Sequence, residues 1–454
     1  MTFDFPRSVK KADPQIIRMM FSTAVLVVLG IAGCSGLQQT PEPEKQVASP
    51  QAVTTVSADV NEKSSPTAGA TSEPKVPTRL VVWLADEFNP QNANLAESLM
   101  KNQLQDLLIK NPEIVVDLRV KGEDQAHSIL NILELTNRHA PEALPDVILI
   151  RAEDARAARR RGLLPANGIF NTILQEGDWY PYAKQLSDSK IVGDCIPMAG
   201  DATVIFADSN LRISQPQKWV DIERRKSSLG FPAVDPTQMF FKMLMNMNDA
   251  QIVNENGKYQ ISPDGLEATL RLILSAIDRE ILNADLLEYS SERNVWIDFG
   301  KEKFDWAALQ ISHYLKDLDA NVQTLNFVNN EGLPILPATG WLWCVLATEP
   351  EKQTLAMTYV RWMTDPKFQM EWTPSAGYLP VRLSSIAGWN DQPSVSQIVA
   401  SLSEKAQVFQ DFGIAPEIEN ILHAIMPSIF AGEQDALGFT ELINSQVQLI
   451  NDAP

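Results

Sequence analysis

Apolar and polar positions follow two alternating periods along the folded part of the chain, which begins near residue 79. Short β-branched apolar runs at Arg79–Trp83, Ile114–Val120 and Leu144–Ile150 predict buried strands. Between them, leucines at helical spacing predict helices over Asn94–Ile109 and about His127–Arg138. Strands that alternate with helices of this length predict right-handed βαβ units and a parallel sheet, whose ligands bind beyond the carboxyl ends of the strands. The pattern therefore predicts an α/β fold.

The N-terminus has a different pattern, in which basic residues precede an uncharged apolar run over Met19–Gly33. This run is shorter than the roughly 20 apolar residues that a membrane-spanning helix needs, and it is typical of a signal peptide. Ile31–Cys34 resembles a lipobox, which implies cleavage before Cys34 and acylation of that cysteine. The prediction is a lipoprotein signal peptide at 1–33 and a lipid anchor on Cys34; an uncleaved membrane anchor is the alternative.

The segment 34–78 joins the lipidated cysteine to the folded part. After Cys34 it is rich in Ser, Thr, Pro, Glu and Gln, and it contains no aromatic residue. Such a composition cannot bury enough apolar surface to fold, and its prolines favour extended conformations. We therefore predict a disordered linker. The predicted location is the outer face of the cytoplasmic membrane, with an outer membrane as the alternative.

Charge and cysteine content limit the partners and the chemistry. The signal carries four basic and two acidic residues, so its removal takes the formal charge from −19 to −21. This charge argues against nucleic acid as a partner and against anionic lipid bound through a broad surface. With Cys34 committed to lipid, Cys195 and Cys344 are an even pair in an oxidising compartment. A disulfide and two buried thiols are both compatible with the sequence.

Several segments resemble, in order and spacing, the extracellular solute-binding proteins of ABC importers, family 1, the group that includes maltose-binding protein. The resemblance covers nearly all of 79–454. The segments that carry it are Leu80–Trp83, Asn111–Asp117, Pro145–Ile148 with Arg161–Pro165, Ile191–Leu211, Pro337–Trp341, Ala356–Trp362 and Gly377–Arg382.

The resemblance implies a two-lobed periplasmic-binding-protein fold of type II with three hinge crossings, near 194–199, 336–341 and 377–382. Lobe one would comprise 79–195 plus 341–377, and lobe two 196–338 plus 379–454. Such proteins close around a ligand by hinge bending. The resemblance further implies a monomer, without a cofactor, that captures a sugar in the form of an oligosaccharide for ABC permease transmembrane subunits.

Candidate ligand-binding residues lie at strand ends that face the cleft between the lobes. Aromatic faces stack on sugar rings, and carboxylates accept hydrogen bonds from hydroxyl groups. The candidates are Trp83, Asp86, Glu87, Glu153, Asp154, Asp201, His313, Tyr314 and Trp341. Structural alternatives apply to each set: the tryptophans suit a core, the acids suit solvated helix starts, and His313 suits a buried position.

Other function classes have weaker support in the sequence. Carboxylates in a cleft could serve a glycoside-processing enzyme, but the chain has no Gly-x-Ser-x-Gly, His-Glu-x-x-His or Walker motif. Its four histidines have no metal-ligand spacing. We therefore predict no catalytic residue and no metal. A lipoprotein that presents ligand to a membrane sensor is a third class. The basic run Arg156–Arg161 suggests phosphate or permease docking, or a solvated helix end.

Overall fold

The computed structural model describes residues 54–55, 77–92, 94–122, 128–211, 213–215, 217–235, 239–250, 252–255, 258–318, 321–409 and 416–452. The predicted signal peptide and Cys34 lie outside these residues, as does most of the predicted linker. Val53–Pro454 form one compact unit. None of the helices in the described ranges is long and apolar enough to span a membrane.

Strands and helices alternate through most of the described chain. Its strands are β1 Thr54–Thr55, β2 Thr78–Ala85, β3 Ile114–Lys121, β4 Val147–Arg151, β5 Cys195–Asp208, β6 Leu229–Gly230, β7 Ile252–Glu255, β8 Lys258–Ile261, β9 Trp306–Gln310, β10 Val322–Leu325 and β11 Ala338–Val345. Its α-helices are α1 Leu95–Lys110, α2 Ile129–His139, α3 Ala152–Arg160, α4 Asn171–Leu174, α5 Pro181–Leu186, α6 Ser189–Val192, α7 Trp219–Arg225, α8 Met239–Met247, α9 Pro263–Asp278, α10 Glu292–Phe299, α11 Ser312–Lys316, α12 Pro350–Met363, α13 Pro366–Ala376, α14 Pro393–Lys405, α15 Pro416–Phe430 and α16 Ala436–Asp452.

The sheet of the first lobe confirms the predicted βαβ pattern. β2 pairs in parallel with β3 on one side and with β4 on the other. The first four residues of β4, Val-Ile-Leu-Ile, are all buried, as expected for a central parallel strand with both faces covered. β11 then pairs antiparallel with β4, and β5 pairs antiparallel with β11. The carboxyl ends of β2 and β4 therefore reach the same edge of the sheet.

β5 is shared between two sheets. Its residues 195–202 pair with β11, whereas residues 203–207 pair with β9 and residues 205–208 pair with β10. β6 adds to β9 in parallel. All fourteen residues of β5 except the last are buried. One long strand thus belongs to both lobes.

The three crossings meet at Gly200. On one side, Gly340 of β11 pairs with Gly200 of β5. On the other side, Leu379 exchanges two backbone hydrogen bonds with Gly200, of 2.8 and 2.9 Å. A Cβ on Gly340 would lie 2.2 Å from the carbonyl oxygen of Ala199, and one on Gly200 would overlap the hydroxyl of Tyr182. Glycine is required at both positions because no side chain fits between the crossing segments.

The last crossing does not lead directly into lobe two. The 3-10 turn Leu383–Trp389 contacts α13, and α14 contacts α5; both partners lie in the range predicted for lobe one. α15 and α16 then pack against α9, which belongs to lobe two. The predicted lobe boundaries stay a proposal, and these contacts favour a return to lobe two only after residue 405.

Cys195 and Cys344 form a disulfide in the structure. They face each other across the antiparallel pair β5 and β11, with Cα atoms 4.1 Å apart. Both side chains are buried. The bond links positions 149 residues apart, at the end of the strand pair away from Gly200 and Gly340.

Candidate functional site

Polar side chains of lobe one gather beyond the carboxyl ends of β2 and β4. Glu87 lies in the 3-10 turn that follows β2, and Arg151 is the last residue of β4. Glu153 and Asp154 occupy the first turn of α3, where the helix dipole favours acidic groups. Asp86 precedes Glu87 but is exposed, and the side chains of Asn89 and Asn92 donate to its Oδ1 and its carbonyl oxygen, at 3.4 and 3.2 Å.

Glu87 lies at the centre of a charged network that joins both lobes and a crossing. Its Oε1 accepts hydrogen bonds from Lys316 Nζ, in α11 of lobe two, and from the hydroxyl of Tyr378, in the third crossing. Its Oε2 lies 3.7 Å from Arg151. Lys316 Nζ also donates to the Tyr378 hydroxyl at 3.0 Å. The network, defined as Glu87, Arg151, Lys316 and Tyr378, fixes the two lobes together in this conformation.

Burial and neighbouring charges shift the pKa of Glu87 in opposite directions. Burial disfavours the ionised carboxyl group, but the charges of Lys316 and Arg151 outweigh this effect and hold the pKa of Glu87 below its ordinary value. Burial and the neighbouring Glu87 raise the pKa of Tyr378 well above its ordinary value. Glu87 is therefore an acceptor and Tyr378 a donor at neutral pH.

A cavity of about 440 Å³ adjoins this network. Glu87, Lys316 and Tyr378 line it together with Asn94 and Glu97 from the start of α1, and Phe88 and Trp372 are among its apolar walls. Glu97 is 6% exposed, and its Oε2 has no hydrogen-bond partner among the described residues. Burial raises the pKa of Glu97. The cavity thus offers both hydrogen-bonding and apolar surfaces to a ligand.

Asp201 lies next to Gly200 on β5, just past the crossing predicted at 194–199 and close to the point where the strand passes from one sheet to the other. Its Oδ1 accepts hydrogen bonds from the backbone N–H groups of Ala202, at 2.8 Å, and Ser312, at 3.2 Å. Across the strand pair it faces Thr339, whose hydroxyl donates to Glu153 Oε1. These contacts bring Asp201, Glu153 and the start of α11 into one neighbourhood at the hinge.

Two acids of the cleft hold their protons unusually strongly. Burial, with a further contribution from the nearby Glu153, raises the pKa of Asp154 to about 6. Burial raises the pKa of Asp201 to about 6, with the hydrogen bond from Ser312 opposing it in part. Both groups change charge within the physiological range and can donate a hydrogen bond below it.

Asp201→Asn should change how stability depends on pH. Because the pKa of Asp201 is higher in the folded than in the unfolded chain, its contribution is favourable at low pH and is lost as pH rises through about 6. We expect the free energy of unfolding of the variant to rise relative to that of the wild type by about 2 kcal/mol between pH 4.5 and 7.5. Melting temperatures across this range measure the effect.

Asp208→Asn, at the half-exposed end of the same strand, is the matched control and should follow the wild-type pH profile. A profile of Asp201→Asn parallel to that of the wild type would contradict a raised pKa at Asp201.

Further polar pairs lie in the ranges predicted for lobe two. His313 Nε2 lies 3.2 Å from Glu292 Oε2, and the His313 ring stacks on Trp296 with centroids 6.1 Å apart. Lys242 is buried and lies 2.5 Å from Glu419 Oε1. Glu419 is close enough to lobe one to raise the pKa of Asp154. The two lobes therefore face each other through charged side chains.

The structure buries the aromatic residues that the sequence proposed as stacking surfaces. Trp83 is 2% exposed, and Lys121 Nζ lies 4.2 Å from its ring centroid. Trp341 is 4% exposed, and Arg151 covers its ring at 4.4 Å. Tyr314 is buried and packs against Phe206. In this conformation Trp83 and Tyr314 belong to the cores of their lobes, and Trp341 reaches the cleft only through Arg151.

Sequence reasoning missed the cationic and hydroxyl members of the site. Arg151, Lys316, Tyr378 and Thr339 were not among the candidates, yet each contacts one that was. Arg151 had a signal, because it ends a strand just before two candidate acids. In the part of the chain that the structure describes, no group of three or more His, Cys, Asp or Glu side chains could hold a metal ion.

Known structures with this architecture are sugar-binding and related proteins. Maltose-bound MalE3 of T. maritima and the cyclic alpha-maltosyl-1,6-maltose binding protein from Arthrobacter globiformis each have a TM-score of 0.65 and 13% identity. In each case 82% of this chain and 99% of the other chain are covered. UgpB from Mycobacterium tuberculosis, in complex with glycerophosphocholine, has a TM-score of 0.65 and 14% identity, with 83% and 98% covered.

No protein-family model matches the sequence, and neither does any curated protein. The likeness to these structures extends over nearly the whole of each of the other chains, and at this level of identity it concerns the fold. The chain therefore has the two-lobed α/β fold of these binding proteins, with three crossings between its lobes.

Proposed function

We propose that the chain is a lipid-anchored, extracytoplasmic solute-binding protein that captures a sugar in the cleft between its lobes and delivers it to an ABC importer. The observation that carries the proposal is that acids from both strand ends and the hinge, Glu87, Glu153 and Asp201, lie where the two lobes meet. Solved proteins of this fold bind maltose, a cyclic maltosyl sugar and cycloalternan. Carboxylates at a hinge suit hydroxyl-rich ligands because they accept several hydrogen bonds each.

Charge as well as hydroxyl recognition supports the proposed ligand class. Arg151, Lys316 and Lys242 place cations among the acids of the cleft. The proposed ligand is an oligosaccharide whose hydroxyl groups bridge these charges; the ring-stacking role proposed for Trp341 requires the lobes to open and Arg151 to move. His313, half-buried beside Trp296, stays a proposed contact on the second lobe.

A thermal-shift screen of the full-length protein tests the ligand class. We expect stabilisation by mono- or oligosaccharides, since a ligand at 100 times its dissociation constant adds about 2.7 kcal/mol to the folded state. Polyols, glycerophosphodiesters, peptides and divalent metals form the comparison panel. Stabilisation by peptides or metals alone would contradict the sugar proposal.

In this proposal the protein is not an enzyme. The alternative arises because the pKa values of Asp154 and Asp201 are raised to about 6, as is typical of the general acid of a glycosidase. Incubation of each stabilising sugar with the protein, followed by chromatography, should return the sugar unchanged. Steady release of shorter sugars, lost in both Asp154→Asn and Asp201→Asn, would establish the enzyme instead. A pull-down with sugar-loaded protein separates the importer from the sensor function. Recovery of a permease supports the importer, and recovery of a membrane sensor instead supports ligand presentation.

A further inference from the structure

A second cavity, at the far end of α3 from Glu153 and Asp154, is lined by cations. It measures about 450 Å³ and lies where the end of α3 meets α6. Its lining comprises Arg156, Arg159, Arg160, Gly162, Lys190 and Ile191. No carboxylate is among these residues.

This concentration of positive charge contrasts with the chain as a whole, whose formal net charge is −19. Arg156 and Arg160 are four residues apart, so they share one face of α3, where like charges repel each other. Burial lowers the pKa of Arg156; the charges of Glu153 and Glu419 oppose this in part, whereas Arg160 adds to it. A bound anion would offset both the repulsion and the burial of the Arg156 charge.

The local fold accounts for only part of this arrangement. Cations in the last turn of α3 are favoured by the helix dipole, and Arg159 Nη1 donates to the carbonyl oxygen of Leu164 at 3.1 Å. Arg161 lies outside the cavity lining and pairs with Glu134 at 2.5 Å. Lys190 comes from a different helix, so the dipole of α3 does not explain its position.

We propose that this cavity binds a tetrahedral oxyanion, a phosphate or sulfate group. The planar guanidinium groups offer paired N–H donors that match such an anion, and Lys190 adds a mobile point charge. The anion is either a free ion or small phosphate ester, or the headgroup of a phospholipid. The site is separate from the proposed sugar cleft and does not depend on that proposal.

Calorimetric titration of the full-length protein with inorganic phosphate, at constant ionic strength set with chloride, tests the site. Arg160 and Lys190 are exposed, so Arg160→Gln combined with Lys190→Gln should fold normally. We expect this double variant to bind phosphate at least about 10-fold more weakly than the wild type, because it loses two charge-assisted contacts. Arg161→Gln, the neighbouring arginine outside the lining, should change the affinity by less than about twofold.

A parallel arm replaces phosphate with vesicles of phosphatidylglycerol in phosphatidylcholine, and a third repeats the phosphate titration on Glu87→Gln. If the wild type binds free phosphate and the double variant does not, the site is supported and its ligand is a free ion or small ester. If only vesicle binding is present and is lost in the double variant, the ligand is a phospholipid headgroup. Retention of phosphate binding in Glu87→Gln separates it from the cleft. Absence of both kinds of binding in the wild type, or an equal loss in Arg161→Gln, would overturn the proposal.

Discussion

Replacing Glu87 with glutamine is expected to weaken ligand binding at least about 10-fold and to reduce the free energy of unfolding by about 1–2 kcal/mol. The carboxylate contacts Lys316 and Tyr378 and lies beside Arg151. Its loss leaves two cations near each other without their counter-charge. The stability figure is modest because Lys316 and Arg151 are 40% and 43% exposed, so water screens both charges.

The same variant should flatten one part of the pH profile. The pKa of Glu87 is lower in the folded than in the unfolded chain, so its contribution to stability is present at neutral pH and is lost as pH falls through the folded value. The difference in the free energy of unfolding between the wild type and Glu87→Gln should therefore decrease as the pH is lowered. This is opposite in sign to the effect of Asp201, which allows the two acids to be separated in one set of melting curves.

Asp86→Asn is the matched control, because Asp86 is adjacent, has the same charge and is exposed. It should leave ligand affinity and the unfolding free energy close to wild type. A double-mutant cycle of Glu87→Gln with Lys316→Met measures the interaction across the lobes. Additive effects in that cycle would show that the two side chains do not interact in solution.

The pair Asp86 and Glu87 illustrates how far sequence reasoning reaches. Hydrophobic periodicity located the end of β2 and thus predicted that both acids lie at the cleft edge of lobe one. It could not choose between them, because the choice depends on Lys316, 229 residues away, and on Tyr378, 291 residues away. Local patterns predict where a strand ends, whereas the partners of its last side chains are set by the packing of remote segments.

The aromatic candidates show a second limit of prediction from the sequence. A tryptophan at a strand end is compatible with a stacking surface or with a core, and only the surrounding packing decides. Trp341 follows Gly340 within strand β11 rather than after a turn, and there Phe88 packs edge-on against it at 4.8 Å and Arg151 covers its ring. The fold class was predictable because it rests on many repeated signals, while each site contact rests on one.

The disulfide between Cys195 and Cys344 is expected to be the largest single contribution to stability in the folded part. It closes a loop of 149 residues, for which the chain-entropy treatment gives about 4–5 kcal/mol as an upper figure. Urea unfolding of the wild-type protein with and without reductant should show this loss. The variant Cys195→Ala with Cys344→Ala should match the reduced wild type in stability and be insensitive to reductant.

The effect on ligand affinity should be much smaller than the effect on stability. The disulfide lies at the end of the β5 and β11 pair remote from Gly200 and Gly340, so its loss leaves the hinge residues paired as before. We expect the dissociation constant of the ligand to change by less than about threefold, because both cysteines are buried at the opposite end of the strand pair from the hinge glycines. Alkylation of the unfolded, unreduced protein provides the direct check: two labelled thiols at these positions would contradict the bond. Because thiols are kept reduced in the cytoplasm, we expect the bond to form only in an oxidising compartment.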